Sequence, residues 1–558
     1  MPASPVARTG ARILVDQLVR QEVSDIFCVP GESYLAVLDA LHDAAIRVTV
    51  CRQEGSAAMM AEAVGKLTNR PGICFVTRGP GATNAAHGVH IAKQDSTPMI
   101  LFVGQIGRAM REREAFQELD YRAVFGPMAK WATEIDDPAR IPEIVSRAFH
   151  VAMSGRPGPV VIALPEDMLT EAARVADAPA TIATPTAPGL AQMAELQKRL
   201  WAARAPIVLL GGARWDEAAV RAVARFATRF DLPVAVSFRR QMLFPADHPN
   251  FAGDLGIGPN PALLRRFEDA DLILVIGARL GEMPSQGYTL LDIPGDGTRL
   301  VHVHPDSSEL GRVYAPAQAI HADPASFAAA LEGLQPPNRL NWAGAGAAAH
   351  ESYLAWSEPG TIPGPLQMGA VMRHLRDVLP EDAIMTNGAG NYATWLHRFH
   401  RFTRFQTQLA PTSGSMGYGL PAAVAAKRLF PARTVVCFAG DGCFLMNGQD
   451  FATAVQYDLA IIVLVIDNGM YGTIRMHQER EYPGRVSATT LKNPDFAAYA
   501  RAFGGHGERV ETTADFAPAL ARARASGKPS ILHLLIDPEA ITPATTITAI
   551  RAKALAEK

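Results

Sequence analysis

Short apolar runs alternate with longer amphipathic stretches along the whole chain. The runs lack the polar alternation of a half-exposed strand, which is typical of strands that are buried on both faces. Such strands, alternating with helical stretches, predict parallel α/β units. The predicted fold class is therefore α/β, with doubly wound parallel sheets. The predicted strands are, in chain order, DIFCVP, IRVTVC, GICFVT, MILFVG, PVVIAL, PIVLLG, LPVAVS, LILVIG, LVHVH, AIMTNG, TVVCFAG, IIVLVI and ILHLLI.

Two stretches interrupt this alternation. Residues 175–191 (VADAPATIATPTAPGLA) and residues 335–365 are rich in Pro, Ala, Thr and Gly, and neither shows helical or strand periodicity. We interpret both as linkers. They separate three α/β domains, which we place at 1–174, 192–334 and 366–540, followed by a C-terminal tail at 541–558.

Composition excludes several classes of protein. The net charge of the 558 residues is −2 and the charges are mixed along the chain, so no field favours nucleic acid or an anionic membrane. The five cysteines form no CxxC pair, as expected for small buried residues in a reducing compartment. The N-terminus lacks the apolar core of a signal peptide, and no apolar run approaches the length of a membrane span. We therefore expect a cytoplasmic protein.

Oxygen-bearing side chains follow two of the strands in the third block. The run TVVCFAG ends at Gly440 and is followed by Asp441 and Gly442. Asp467-Asn468 follows the run IIVLVI. In parallel sheets, ligands bind outside the carboxyl ends of the strands. A carboxylate and an amide oxygen suit Mg²⁺, which keeps places for phosphate oxygens and water. The pair predicts a metal–diphosphate anchor, although each half alone is also a common turn sequence.

Glycine-rich segments follow other strands of this block. The segment 412–421 (TSGSMGYGLP) contains Gly414 and places Met416 beside glycines, as suits a ligand that lies against backbone with an apolar shelf. The segment 386–391 (TNGAGN) ends in Gly390 and Asn391 and could offer backbone N–H groups to phosphate oxygens.

In the first block, Glu54 follows IRVTVC at the start of an Ala- and Met-rich helical stretch. Considered alone, it is best interpreted as a capping or exposed carboxylate. The turn RGPGATN at 78–84 is either a tight connection or a place where backbone approaches a flat ligand. In the middle block, Gly211-Gly212 is not a GxGxxG motif, and no HExxH sequence indicates a catalytic zinc.

These segments occur together, in one order, in a known family. The chain resembles the thiamine-diphosphate-dependent enzymes of the acetolactate synthase branch over nearly its whole length. The segments that carry the resemblance are VPGESYLAVLDAL, CRQEGSAAMMAEAVGKL, TRGPGATN, AFQE, GRPGPVVIALPEDM, TSGSMGYGLPAA and the GDG…DN pair.

The resemblance implies a pyrimidine-binding domain, a central Rossmann-like domain and a diphosphate-binding domain, in that order. It implies thiamine diphosphate and Mg²⁺ as cofactors and a 2-oxo acid as substrate. It also implies a homodimer or a dimer of dimers, in which each active site lies between the first domain of one subunit and the third domain of its partner.

The resemblance also assigns roles to residues. Glu54 is the carboxylate that hydrogen-bonds N1′ of the aminopyrimidine, and Met416 holds the cofactor bent. Asp441, the Asn468 side chain and the Met470 carbonyl are the metal ligands. The further cofactor-binding residues are Pro30, Asn84, Gly390, Asn391, Gly414, Gly442, Cys443 and Gly472.

The substrate end of the predicted site departs from the biosynthetic enzymes. The position of a family tryptophan that shapes the acceptor pocket is occupied by His477, which indicates a polar or anionic acceptor. Glu32, in the Pro30-Gly31-Glu32-Ser33 loop, is a substrate contact or a helix N-terminal carboxylate. Gln117 lies in the family segment near the reacting carbon. Residues 279–283 (RLGEM) replace the Arg-Phe-Asp-Asp-Arg segment of the FAD-containing members, which weakens the case for FAD; many members of the branch bind no nucleotide or another nucleotide in the central domain.

The resemblance thus implies an enzyme that decarboxylates a 2-oxo acid, most simply pyruvate, and transfers the acyl group to a carbonyl acceptor. Two alternatives stay open: a benzoylformate-type decarboxylase without carboligation, and a lyase of a sulfonated or acyl-CoA substrate. A nucleotide-binding oxidoreductase is disfavoured, because the chain lacks GxGxxG and has Glu54.

Overall fold

A computed structural model describes residues 6–295 and 297–557. It contains three six-stranded sheets, each parallel throughout, and one antiparallel pair of two-residue strands. The predicted α/β class with three doubly wound sheets is confirmed. The exact domain bounds given above stay a prediction.

The first sheet has the strand order β3-β2-β4-β5-β7-β6. Its interior strands are buried, and the core beneath them includes Ile73, Phe102 and Ile162. The strands of this block are β1 Arg8–Thr9, β2 Asp25–Cys28, β3 Arg47–Val50, β4 Gly72–Val76, β5 Met99–Gln105, β6 Trp131–Glu134, β7 Pro159–Pro165 and β8 Ala172–Ala173. The helices are α1 Gly10–Arg20, α2 Leu35–His42, α3 Glu54–Thr68, α4 Pro80–Asp95, α5 Tyr121–Phe125, α6 Ile141–Met153 and α7 Glu166–Thr170.

The central sheet has the strand order β11-β10-β9-β12-β13-β14. This is the Rossmann order, in which the third, second and first strands precede the fourth, fifth and sixth. Its strands are β9 Pro206–Leu210, β10 Val234–Ser237, β11 Phe251–Leu255, β12 Leu272–Ile276, β13 Leu300–His304 and β14 Gln318–His321. Its helices are α8 Leu190–Ala202, α9 Glu217–Phe230, α10 Pro261–Asp269, α11 Pro324–Ala330 and α12 Ala345–Trp356.

The third sheet has the strand order β16-β15-β17-β18-β20-β19. Its strands are β15 Ile384–Asn387, β16 Gln408–Leu409, β17 Val435–Gly440, β18 Ile462–Asp467, β19 His506–Val510 and β20 Ser530–Leu535. Its helices are α13 Met368–Val378, α14 Ala393–Phe399, α15 Gly419–Leu429, α16 Asp441–Phe444, α17 Phe451–Gln456, α18 Gly472–Glu481, α19 Phe496–Ala502, α20 Thr513–Ser526 and α21 Ile547–Ala556. Short 3₁₀ turns lie at Glu32–Tyr34, Arg108–Met110, Pro138–Arg140, Gln241–Leu243, Ser307–Glu309, Leu331–Gly333 and Gly448–Asp450.

The interpretation of residues 335–365 as a linker without regular structure is wrong in its middle. The sequence AGAAAHESYLAW forms α12, which packs against β11. Its small residues conceal the helical pattern, because only Gly346, Ala349 and Tyr353 are buried. The first proposed linker does lack helix and strand between residues 174 and 189. The C-terminal tail contains α21, which its weak periodicity did not indicate.

Within the described residues the chain forms two compact units. One comprises residues 1–184, 420–431 and 447–459, and the other comprises residues 185–419, 432–446 and 460–558. The first unit therefore includes segments from far along the chain. Within it, the Tyr457 hydroxyl accepts a hydrogen bond from the Val50 N–H at 2.8 Å, and the Asp450 carboxylate accepts one from the Arg52 N–H at 3.1 Å. No helix in the described part is both long and apolar enough to span a bilayer.

Candidate active site

The carboxyl edge of the third sheet forms a cavity of about 230 Å³. Strands β17 and β18 are neighbours, so Asp441, which begins α16, and Asn468, which follows β18, are presented side by side. The cavity brings together ten of the residues that the sequence singled out. These are Gly390, Asn391, Gly414, Met416, Asp441, Gly442, Cys443, Asn468, Met470 and Gly472.

Asp441 is 3 % exposed and is held by a neighbouring amide. Asn493 donates from Nδ2 to Asp441 Oδ2 at 2.7 Å and to Asp467 Oδ1 at 2.8 Å. Burial raises the pKa of Asp441 to about 6, although hydrogen bonds from the Gly442 N–H and Asn493 lower it. A bound cation would oppose the effect of burial and keep this carboxylate ionised.

Asp467, which precedes Asn468, has a histidine partner. His533 Nε2 lies 2.9 Å from Asp467 Oδ2, and the Gly469 N–H donates to Oδ1 at 2.9 Å. Burial alone would raise the pKa of Asp467, but the hydrogen bonds from His533, Gly469 and Asn493 outweigh it and leave the pKa below its usual range. The Asp467 carboxylate is therefore fully occupied by protein donors, which leaves Asp441 as the carboxylate facing the cavity.

Several glycines line the cavity, among them Gly390 and Gly442. A Cβ on Gly442 would lie 2.5 Å from Tyr471 Cε1, so a larger residue would displace the tyrosine ring. Gly390 has φ +142°, a conformation that suits glycine. The Cys443 thiol is buried and lies 3.1 Å from both the Tyr392 hydroxyl and the Gly417 nitrogen. At these glycines a flat or anionic group can approach the peptide N–H groups closely.

This donor set fits Mg²⁺ and a diphosphate. The described residues contain no cluster of three or more His, Cys, Asp or Glu side chains that could hold a metal ion by themselves. The cavity instead offers one buried carboxylate, the Asn468 amide and the backbone at Met470. Mg²⁺ is commonly held by one or two protein oxygens together with substrate phosphates and water.

In the first block, Glu54 and Asn84 are in direct contact, since Asn84 Nδ2 donates to Glu54 Oε2 at 3.0 Å. The other oxygen, Glu54 Oε1, has no hydrogen-bond partner in the described part of the chain. Glu54 is the first residue of α3 but does not cap it, which corrects the capping interpretation. Gln53 is the N-cap, and its side chain accepts from the Ser56 N–H at 2.8 Å.

Glu32 begins the 3₁₀ turn that follows the exposed Pro30. Its side chain is 66 % exposed and pairs with the buried Arg78 at 3.3 Å, and Arg78 also contacts Glu166 at 3.1 Å. One arginine thus holds two carboxylates at the strand ends of this block. Sequence reasoning missed Arg78 as their common partner.

Gln117 adopts φ +65°, and its buried Oε1 has no partner among the residues the structure describes. Its backbone lies close to Gly79, whose N–H donates to the Tyr121 hydroxyl at 2.8 Å. An unsatisfied buried amide oxygen in a strained conformation is typical of a ligand-binding residue.

His477 lies on α18, is exposed, and lines neither this cavity nor a neighbouring one of about 380 Å³. Its Nδ1 is 3.5 Å from Arg480 Nη1. The same helix carries Glu479, which sequence reasoning missed. This residue is 1 % exposed and holds Arg475 and, from α21, Arg551, each at 2.7 Å. The ion pairs attach the C-terminal helix to the helix that borders the cavity.

The central sheet has its topological switch point between β9 and β12, where a dinucleotide would bind in this topology. There, Arg240 is 5 % exposed and donates from Nε to the Gly212 carbonyl at 3.0 Å. Arg279, in the segment that replaces the FAD-type motif, pairs with the buried Glu309 at 3.5 Å. FAD or another nucleotide in this domain stays an untested prediction.

Comparison with known families identifies all three blocks. Models of the thiamine pyrophosphate enzymes match the N-terminal TPP binding domain at residues 8–124, the central domain at residues 193–331 and the C-terminal TPP binding domain at residues 388–534. The order of these matches is the order that the sequence motifs implied.

Curated relatives are similar over nearly the full chain. The acetolactate synthase isozyme 2 large subunit of Escherichia coli (strain K12) is 31 % identical over 532 residues, which cover 95 % of this chain and 95 % of that protein. The acetolactate synthase large subunit of Parasynechococcus marenigrum (strain WH8102) is 31 % identical and covers 95 % and 88 %. The acetolactate synthase of Bacillus subtilis (strain 168) is 29 % identical and covers 96 % and 94 %.

Proposed function

This chain belongs to the thiamine-diphosphate-dependent enzymes, in the branch of the acetolactate synthases, and we propose that it is a carboligase of 2-oxo acids. Its simplest reaction would be the decarboxylation of pyruvate and transfer of the resulting two-carbon unit to a second pyruvate, giving 2-acetolactate. The observation that carries this proposal is the single cavity that gathers Asp441, Asn468, Met470 and the glycine-rich segments. The sequence similarity to acetolactate synthases supports it.

We assign the diphosphate end of the cofactor to this cavity. Asp441, the Asn468 side chain and the Met470 carbonyl would hold Mg²⁺, and backbone at Gly390, Gly442 and Gly472 would face the phosphate oxygens. Asn493 keeps the Asp441 carboxylate in place through its 2.7 Å hydrogen bond. Met416 is half-buried on the cavity wall and would give apolar support to the bent cofactor.

Bound thiamine diphosphate supplies a thiazolium carbon that accepts the electrons of the broken bond to CO₂. The chain supplies the proton chemistry and the position. Glu54 would exchange a proton with N1′ of the aminopyrimidine through Oε1, because Asn84 already occupies Oε2. Gln117, with its unsatisfied Oε1, would hydrogen-bond the substrate, and Glu32 and His477 would border the acceptor.

We further propose that the enzyme is a homodimer or a dimer of dimers, with Glu54 of one copy acting on cofactor held by Asp441 of the other. This arrangement is the one that family membership implies. Variants Glu54→Gln and Asp441→Ala would each be inactive alone. Mixed after dissociation and reassociation, they should regain activity, because a mixed dimer contains one site with both residues intact. Mixing without any recovery would place both residues in the same subunit's site.

The reaction is tested by incubating the protein with Mg²⁺, thiamine diphosphate and a series of 2-oxo acids while CO₂ and products are identified. Acetolactate from pyruvate, formed only with the cofactor present, is expected. CO₂ release that yields only aldehyde would show a simple decarboxylase instead. Failure with every 2-oxo acid, including benzoylformate, would contradict the proposal.

A further inference from the structure

A chain of hydrogen bonds leads from the cavity into the interior of the third sheet. It starts at the Asp441 carboxylate, continues through the Asn493 amide to the Asp467 carboxylate, and ends at His533 on β20. Asn493 is the link between the two carboxylates, since its Nδ2 donates to both. The four residues come from four separate segments of the chain, so the arrangement depends on the fold of the whole sheet.

The sheet itself places His533 against Asp467. Strands β18 and β20 are parallel neighbours, and Val465 is the register partner of His533. Asp467 lies two residues beyond Val465 and therefore on the same face of the sheet, because side chains alternate along a strand. The imidazole thus reaches the carboxylate diagonally across the two strands, and its Nε2 lies 2.9 Å from Asp467 Oδ2.

His533 is a donor that is held in a fixed orientation. It is 3 % exposed, and its ring meets the Phe496 ring edge-on with the centroids 5.0 Å apart. An ionised carboxylate can only accept, so His533 Nε2 carries the proton. The other nitrogen, Nδ1, has no hydrogen-bond partner among the described residues and lies 3.8 Å from Asp495 Oδ1. The hydrogen bond to Asp467 is therefore the one contact that the imidazole nitrogens make at hydrogen-bond distance in this part of the chain.

This bond determines where the Asp467 carboxylate points. Its Oδ1 accepts from the Gly469 N–H and from Asn493, and its Oδ2 accepts from His533. Without His533, Oδ2 would be a largely buried acceptor with no donor, and the carboxylate would gain by turning toward another one. In turning, Oδ1 would leave Asn493. The amide that holds Asp441 would then be fixed at one end only.

We propose that His533 is a positioning residue of the metal site, which acts through Asp467 and Asn493 to keep the Asp441 carboxylate in the orientation that receives the cation. The inference rests on the cofactor assignment within the proposed function, in which Asp441 is a ligand of Mg²⁺. His533 would contact neither the cation nor the substrate. Residues that orient a metal ligand in this way set the affinity for the metal, because the ligand is already in place when the cation arrives.

The test measures the Mg²⁺ dependence of thiamine diphosphate binding by calorimetry, without substrate. His533→Leu and His533→Met both remove the donor and keep an apolar side chain of similar size. Each should raise the half-saturating Mg²⁺ concentration about tenfold, in the range of outer-shell substitutions at metal sites. His533→Gln should stay within about threefold of the natural protein, because its amide nitrogen can donate from the place of Nε2.

His506→Leu is the matched control. His506 lies on β19 of the same sheet, and its Nε2 is 2.7 Å from Glu508 Oε1, so it forms a histidine–carboxylate pair of the same kind. Neither His506 nor Glu508 lines the cavity. The control should leave the Mg²⁺ concentration unchanged. An equal rise for His506→Leu and His533→Leu would show a general effect on the sheet and would overturn the proposal.

A double substitution tests whether His533 acts through the amide. Asn493→Ala breaks the same chain nearer to the cation, so the addition of His533→Leu should change the half-saturating Mg²⁺ concentration by less than about a further twofold. Multiplication of the two single effects would show that His533 acts independently of Asn493, and would contradict the proposal. A rise of less than about twofold in both His533→Leu and His533→Met would contradict it as well.

The absence of substrate separates this role of His533 from the proposed reaction. The expected pattern of Mg²⁺ dependence, in a protein that forms no product from any 2-oxo acid, would support the positioning role and reject the carboligase. Thiamine diphosphate binding that needs no Mg²⁺ in the natural protein would overturn both the metal assignment and the role of His533.

Discussion

The first and third sheets have the same strand order but present different chemistry at their strand ends. Numbered within each sheet along the chain, both have the order 2-1-3-4-6-5. In both, predicted site residues follow each of the first four strands, and none follows the last two. The first sheet presents polar side chains, with Glu32, Glu54, Asn84 and Gln117 following β2, β3, β4 and β5 respectively.

The third sheet presents glycines together with one carboxylate and one amide at its strand ends. Gly390 follows β15 and Gly414 follows β16, whereas Asp441 and Asn468 follow β17 and β18. Under the proposed function, one topology would provide a proton-handling edge and an anion-holding edge, and the residues after the strands would decide which. The following predictions would break or sharpen that difference.

The largest effects are expected from substitutions that alter one sheet edge and leave the other intact. Glu54→Gln should lower turnover about 10²–10⁴-fold, the usual range for a positioned acid–base group, because an amide cannot exchange the N1′ proton. Thiamine diphosphate binding, measured by calorimetry with Mg²⁺, should stay nearly unchanged. Asp441→Ala should instead abolish cofactor binding. Equal losses of binding in both variants would mean that the edges do not differ in role.

The next effect concerns the segments after the fourth strand of each sheet. In the third sheet, hydrogen bonds from Arg551, the Gly484 N–H and Arg475 lower the pKa of Glu479 to about 2. Burial acts in the opposite direction but is outweighed. A pKa lowered by folding stabilises the fold above pH 4.5, and that stability is lost as the pH falls from about 4.5 toward 2. The pKa shift of Glu479 contributes about 3 kcal/mol to the free energy of unfolding.

The protection of α21 amides against hydrogen exchange, corrected for the intrinsic rate at each pH, should therefore fall over this pH range, and Glu479→Gln should lower it already at pH 7. Arg551→Gln should have a similar effect, because it removes the other end of the same pair. Unchanged exchange in residues 547–556 would show that α21 is held by its apolar contacts instead.

A smaller effect is expected from the amide that joins the two carboxylates. Asn493→Ala removes the hydrogen bonds to Asp441 and Asp467 and leaves the two acids facing each other. The Mg²⁺ concentration that half-saturates cofactor binding should rise about tenfold, in the range of outer-shell substitutions at metal sites. Lys492→Ala replaces an exposed neighbour of Asn493 and should leave this Mg²⁺ concentration unchanged.

The smallest effect should come from Glu118, after the fourth strand of the first sheet. Its carboxylate accepts from the Glu112 N–H at 2.7 Å and the Ala115 N–H at 2.9 Å, which lowers its pKa. Because no arginine is buried with it, Glu118→Gln should lower the melting temperature much less than Glu479→Gln does. A larger decrease in melting temperature for Glu118→Gln than for Glu479→Gln would contradict this prediction.

Every interior strand of the three sheets was predictable from its apolar run. Of the edge strands, only one was predictable in this way. Among the edge strands only β3 carries such a run; β6, β11, β14, β16 and β19 do not. An interior strand is covered on both faces and needs continuous Val, Ile and Leu. An edge strand such as β19 (HGERV) has polar residues facing water, so its pattern resembles a loop.

The candidate site divides in a similar way. Residues immediately after strands, such as Asp441 and Asn468, were predictable because topology alone places them at one edge. Their partners were not, since contacts such as Asn493 with Asp441 or Glu479 with Arg551 join positions 52 and 72 residues apart. The neighbouring cavity of about 380 Å³ likewise depends on how loops of the central sheet meet α14 and α18, which no local pattern encodes.

The composition of the first compact unit has a consequence for synthesis in the cell. That unit needs residues 420–431 and 447–459, so its interior cannot be completed when residue 184 leaves the ribosome. The remaining stretch takes roughly 15–55 s to translate at the usual rates. During that time the backbone N–H groups of Val50 and Arg52 lack their acceptors on Tyr457 and Asp450. The nascent chain is thus a natural client for chaperones, and its N-terminal third is a poor choice for expression as an isolated fragment.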